Sequence, residues 1–182
     1  MWELIVLALV VVATVATYNS LVKLREQVQA AWADIDVQLK RRYDLIPNLV
    51  ETVKGYASHE REALEAVVAA RSGAMSAQGP AEKGQAEGML TGALKSLFAL
   101  AEAYPDLKAA GGFRDLQSTL ADMEDSIQNA RRYYNAVVRD FNTKVQQVPS
   151  NLVARTFRFR QAEFFEVPEP ETAVPRVDFD RG

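Results

Sequence analysis

Apolar and polar residues alternate in two distinct ways along the first part of this chain. From Leu4 to Val22 there are 19 residues without a charge. At about 1.5 Å of rise each, they make roughly 28 Å of helix, close to the ~30 Å hydrocarbon core of a bilayer. The apolar heart, Leu4 to Ala16, is broken only by Thr14, and Trp2 and Tyr18 bracket it where interfacial aromatics belong. A stripe then takes over: Leu21, Leu24, Val28, Ala31, Ile35 and Leu39 recur at steps of three and four, as on a helix that buries one face. No breaker separates the two patterns. They predict one rod rising from a membrane, bending near Pro47, which removes a backbone hydrogen bond, and ending near Gly55 and Ser58.

A second, shorter helix is predicted over Ser58 to Ser72, with Leu64, Val67, Val68 and Arg71 on or beside its inner face; continuation of the first helix is the alternative. Ser72 to Pro80 has the Gly, Ser and Pro density of a loop, and Pro80 suits the start of a helix. The third helix carries Leu90, Leu94, Leu97, Phe98, Ala101 and Tyr104. Gly84, Gly88 and Gly92 fall on one of its faces, either as a surface of close approach or simply as a weak helix start. Gly111 and Gly112 mark a turn. The clearest stripe follows, from Phe113 through Leu116, Leu120, Met123, Ile127, Ala130, Tyr134, Val137, Phe141 and Val145 to Val148, and Pro149 stops it. From Ser150 the chain turns to Phe and Pro, with Phe157 and Phe159 alternating with Arg158 and Arg160, so an extended segment is expected, with flexible, acidic final residues.

The patterns divide the chain into an anchor at 1–22, a helical bundle at 23–149 and a tail at 150–182. The fold class they predict is all-α: a transmembrane helix continuing into an antiparallel up-and-down four-helix bundle, with an extended tail. A cleaved signal peptide is disfavoured because the only charge before the span is Glu3 rather than a basic cluster. Lys23 and Arg25, then Lys40, Arg41 and Arg42, follow the span and none precedes it. The positive-inside rule then puts the N-terminus outside and the bundle in the cytoplasm.

Composition narrows the chemistry. A formal net charge of −3 argues against nucleic-acid binding, and the absence of Cys removes disulfides, thiolate metal sites and cysteine nucleophiles. The single histidine, His59, stands near Glu60 and Glu62, but a helical di-iron site needs two Glu-x-x-His pairs and zinc needs three or four convergent ligands. His59 is therefore read as a helix-start or surface residue. Phosphate-loop, nucleophile-elbow and dinucleotide motifs are absent from the sequence. No cofactor and no catalytic residue is expected.

Several uncommon elements also occur in a fixed order: Tyr18-Asn19, Asp36 through Leu39, Arg41-Arg42, Asp44 through Val50, Tyr56 through Glu60, and later Arg71, Arg131, Tyr134-Asn135, Asn142, Pro149, Phe157-x-Phe159 and Phe164-Phe165-Glu166. In these the chain resembles the LemA family of bacterial membrane proteins over nearly its whole length. The resemblance implies an N-terminal membrane helix with a small outward-facing N-terminus and a four-helix bundle, and carries no established biochemical activity. One branch of the family is similar to proteins that help build magnetosome membranes. The chain departs at Arg158, where the family often has Gly, which counts against a tight turn there.

Two groups of residues stand out as candidate sites. Asp36, Arg42, Asp44, Asn48, Glu51, Arg71, Arg131, Asn135 and Asn142 include several that flank apolar positions. Such residues fix helix register or line a groove for a partner segment. In an up-and-down bundle the fourth helix returns toward the membrane, which would bring Arg155, Phe157, Arg158, Phe159 and Arg160 beside Lys23 and Arg25 as a basic aromatic collar; the alternative is that the phenylalanines close the bundle end. The expected function is a membrane-anchored scaffold or adaptor at the bacterial cytoplasmic membrane, touching lipid through its first helix and binding an unidentified protein or itself. A membrane-shaping protein and a carboxylate-dependent enzyme are the alternatives.

Overall fold

The computed structural model describes residues 1–167. It contains six helices: α1 (Trp2–Tyr56), α2 (Arg61–Ser76), α3 (Gly79–Ala101), α4 (Pro105–Ala109), α5 (Gly111–Gln146) and α6 (Ser150–Thr156). Among the described residues there is no strand. Helices α1, α2, α3 and α5 form the antiparallel bundle, with α1 packed chiefly on α5 and α2 on α3.

The rod predicted from the two apolar patterns is one helix of 55 residues. Its first part stands clear of the bundle, so Leu4, Ile5, Leu7 and Val10 are exposed, and it is long and apolar enough to cross a bilayer. Burial begins at Leu21 and then follows the stripe through Val28, Ala31, Ile35, Leu39, Ile46, Leu49 and Val53. The same helix thus supplies both the candidate membrane span and one wall of the core.

Pro47 sits inside α1 without ending it. It has no N–H to give the carbonyl of Tyr43, four residues back, and that carbonyl is left without its helical donor. Arg71 of α2 supplies the missing bond: its Nε donates to the Tyr43 carbonyl at 2.8 Å. A defect in one helix is therefore filled by a side chain from the next.

The connections differ from the sequence reading in three places. Ser72 to Pro80 is not a loop, because α2 continues to Ser76, held by the fully buried Ala74, and only Ala77 and Gln78 link it to α3. The reversal is made at Gly79, whose φ of 74° is open to glycine, and the Glu82 carboxylate accepts from the Gln78 N–H at 2.8 Å. Gly111 and Gly112 begin α5 instead of forming the turn; that turn is the short α4, fastened by the buried Leu107. Finally, the tail is not extended from Ser150, since Ser150–Thr156 is helical and turns Ala154 into the core. The alternating Phe and Arg pattern sits at its exit, where Arg158 takes φ 59°. The tight turn forms with an arginine where the sequence argued against one. The Phe/Pro-rich stretch beyond Val167, with Pro168, Pro170, Pro175 and Phe179, lies outside the described residues.

Candidate functional site

The polar residues sort into three places around the bundle. The first is a buried ionic cluster where α1, α3 and α5 meet. Arg42 is 4% exposed, and its Nη1 lies 3.2 Å from Glu87 and 3.0 Å from Glu124 while its Nη2 donates to Thr91 Oγ1 at 2.9 Å. The Tyr43 hydroxyl donates to the other Glu87 oxygen in a short bond. Burial raises the Glu87 carboxyl above its ordinary value, against the opposing pull of the Tyr43 hydrogen bond and the Arg42 charge. Burial, reinforced by Glu87, also holds the Tyr43 phenol protonated, which keeps it a donor. Lys83 stands over the Tyr43 ring at 5.9 Å and reaches the exposed Asp36 at 3.9 Å.

The second place is an extended strap, residues 160–167, laid along α5 after α6. Asn142 holds Ala162 by both backbone groups: its amide nitrogen donates to the Ala162 carbonyl at 2.9 Å and its oxygen accepts the Ala162 N–H at 2.8 Å. Asn135 repeats the arrangement on Phe165, at 3.0 and 2.9 Å. Between them Tyr134 donates to the Glu163 carbonyl at 2.8 Å, its phenol pushed up to about 12 by burial and then by the Glu163 charge. Phe165 is fully buried beside Trp32, ring centroids 6.0 Å apart, and the Arg131 guanidinium lies 5.5 Å from its centroid. On the opposite wall Gly84 is needed for the strap to pass, since a Cβ there would lie 2.1 Å from the Glu166 carbonyl oxygen.

Among the described residues, a groove of ≈ 670 Å³ runs between α3 and α5 beside Val167, with Gly88, Gly92 and Lys95 on one side and Gln128, Arg131 and Arg132 on the other. Thr91 and Glu124, which hold Arg42, also face it.

The third place is the end where α1 leaves the bundle. Tyr18 meets Phe157 and Phe159 at centroid distances of 4.8 and 5.8 Å, and the Arg25 guanidinium lies 5.4 Å from the Phe159 ring. Lys23, Arg25, Arg155, Arg158 and Arg160 are exposed. Phe159 packs against the core while Phe157 is half exposed.

The nine candidate polar residues therefore do not form one site. Arg42 anchors the ionic cluster, Arg71 fills the Tyr43 carbonyl, and Arg131, Asn135 and Asn142 serve the strap. Asp36, Asp44, Asn48 and Glu51 are exposed, with Glu51 3.7 Å from Lys54. Glu87, Glu124, Tyr43 and Thr91 were not singled out in the sequence, although Glu87 carried a signal: it falls three residues before Leu90 and seven before Leu94, on the buried stripe of α3. His59 is exposed in the turn between α1 and α2, and no metal-holding group of His, Asp or Glu occurs among the described residues.

The chain is 29% identical to magnetosome protein MamQ 2 of Paramagnetospirillum magneticum, across 94% of this chain and 74% of that protein. It is 28% identical to magnetosome protein MamQ of Magnetospirillum gryphiswaldense, across 86% and 68%. Protein LemA of Metamycoplasma hominis is also 28% identical, across 89% and 73%. A family profile matches residues 31–179, a span that takes in the ionic cluster, both strap-holding asparagines and the strap itself, and the chain belongs to the LemA family.

Proposed function

We infer that the protein is a membrane-tethered helical scaffold that presents its bundle to protein partners, or to further copies of itself, at the cytoplasmic face of the bacterial inner membrane. The observation that carries this is the continuity of α1. A helix with no break between an exposed apolar stretch and a buried core face holds the bundle at a fixed distance and orientation from the bilayer, instead of on a loose linker. The collar supports the same geometry: Lys23, Arg25, Arg155, Arg158 and Arg160 share the membrane-proximal end with Phe157 and Tyr18, a combination suited to anionic headgroups.

The role is a non-catalytic one that uses no cofactor. The most perturbed carboxylate, Glu87, is 2% exposed and occupied by Arg42 and Tyr43, which leaves it no path to a substrate and weakens the alternative of a carboxylate-dependent enzyme. A second reading, a protein that organises or shapes membrane, draws support from the relatives named as magnetosome proteins.

Because the chain has no cysteine, topology is open to a clean test. A Ser58→Cys variant, placing one thiol at the exposed turn far from the span, should resist a membrane-impermeant maleimide in intact cells, react after lysis, and stay with membranes in carbonate. Release into carbonate would remove the tether, and labelling in intact cells would reverse the orientation.

A further inference from the structure

The end of the bundle from which α1 emerges carries apolar side chains that the core does not use. Val148, Leu152 and Phe157, at the corner between α5 and α6 and at its exit, are 73%, 62% and 51% exposed. Their neighbours Val145, Val153, Ala154 and Phe159 pack inward. The same corner is basic: from Lys144 to Ala162 the chain has Lys144, Arg155, Arg158 and Arg160 and no acid. Single exposed apolar residues are ordinary, but several together, ringed by charge of one sign, mark a surface of contact.

The depth of this corner is set by α1. Uncharged residues run to Val22, and Tyr18 lies four residues earlier, about 6 Å inside the edge of the apolar stretch. Phe157 meets Tyr18 at 4.8 Å between ring centroids, and Phe159 meets it at 5.8 Å. Leu152 is five residues from Phe157, at most about 7.5 Å along α6. Arg25, three residues past Val22 and about 4.5 Å outside the edge, lies over the Phe159 ring at 5.4 Å. Core burial already begins at Leu21, within the uncharged stretch. The last turn of that stretch is thus shared between bilayer and bundle, and whatever packs on Tyr18 sits at the depth of the membrane interface. The strap runs the other way, from Ala162 at Asn142 to Phe165 at Asn135.

We propose that the corner between α5 and α6 is a second membrane contact, in which Val148, Leu152 and Phe157 enter the interfacial layer of an anionic bilayer. Arg155, Arg158 and Arg160 reach the lipid phosphates, their aliphatic stems lying along the apolar side chains. This rests on the tethered reading above and names the partner of the collar as a lipid surface with negatively charged headgroups. One spanning helix leaves a bundle free to rotate about the helix axis. A second contact stops that rotation and fixes which face of the bundle looks along the membrane and which looks away from it.

The absence of cysteine permits single labels in the full chain. A fluorophore on Thr156→Cys, beside Leu152 and Phe157, is compared with one on Ser58→Cys in nanodiscs of phosphatidylcholine alone or of equal parts phosphatidylcholine and phosphatidylglycerol. Both positions are exposed, and unchanged circular dichroism and melting would certify the fold. Quenching by a nitroxide carried on the lipid should be strong at 156 and absent at 58, and the anionic lipid should strengthen it at 156. Leu152→Glu should lower quenching at 156 about tenfold, while Val68→Glu, also exposed but on α2, leaves it unchanged. Equally weak quenching at 156 and 58 overturns the proposal, as does quenching indifferent to phosphatidylglycerol or to Leu152→Glu. A chain ending at Val167 is run beside the full chain, and quenching at 156 that appears only in the shortened chain would assign the corner to the chain's own end and overturn the proposal too. Membrane retention in carbonate is scored on the same protein: an unquenched corner on a retained chain defeats this proposal alone, whereas release defeats the tether beneath it.

Discussion

Arg42 shows how a single charged residue can be retained in a helical core. Removing a guanidinium from water costs several kcal/mol, and the loss is offset here by hydrogen bonds to Glu87 and Thr91 and by the Glu124 carboxylate at 3.0 Å, while Nε of Arg42 is left without a partner. Glu87 bears the burden on the acidic side, and burial has raised its carboxyl. A raised value means that the folded chain holds the proton more tightly than the unfolded chain. The contribution of this group to stability is complete below its ordinary value of 4.5 and is lost as pH climbs through the folded value. Glu87→Gln removes that dependence. The melting temperature of the parent minus that of Glu87→Gln should therefore decline as pH is raised from 4.5, and a constant difference would show that the carboxyl is unshifted. Arg158 offers a second residue-level test. Its φ of 59° costs a residue with a Cβ about 1–2 kcal/mol, against the ~0.5–1 kcal/mol of extra chain entropy a glycine loses. Arg158→Gly should accordingly raise stability by up to about 1 kcal/mol in denaturant titration.

Among the elements, α1 and α2 are joined by a compensation that neither reveals alone. Pro47 frees the Tyr43 carbonyl and Arg71 satisfies it. Arg71→Leu should cost about 1–3 kcal/mol because a half-buried carbonyl loses its donor. In a Pro47→Ala background, where residue 47 regains an N–H for that carbonyl, the same substitution should cost much less. A double-mutant cycle on the melting free energy measures this, and additive effects would contradict the assignment. The helices themselves were legible because three- and four-residue apolar steps are a local property. The connections were not. Ser72 to Ser76 has the composition of a loop, yet burial of Ala74 against the core keeps it helical, and Ser150–Thr156 is drawn into a helix by Ala154 in the same way.

For the whole molecule the decisive feature is that the candidate membrane span and the bundle share one helix. Spin labels at Glu3→Cys and Ala33→Cys, separated by 30 residues of α1 and placed on either side of the point where burial begins, should lie about 45 Å apart in nanodiscs, with a narrow distance distribution. A broad distribution would indicate a joint between anchor and bundle, and with it a bundle free to swing. At this scale the strap also acquires meaning: residues 160–167 close part of the seam between α3 and α5 beside the ionic cluster.

By itself the sequence determined what depends on neighbours along the chain. The uncharged span, the helical stripes, the absence of cysteine and the ordered residues that mark the family are all of this kind. It also raised Arg42, Arg71, Asn135 and Asn142 as polar residues worth placing, because each flanks an apolar stripe. Only the tertiary structure decided what they meet. Arg42 finds Glu87 forty-five positions later, Asn135 finds Phe165 thirty later, and Asn48 finds solvent. Periodicity states which side of a helix faces inward, while hydrogen-bond partners are set by the docking of one helix against another, and that is a long-range quantity no local pattern encodes.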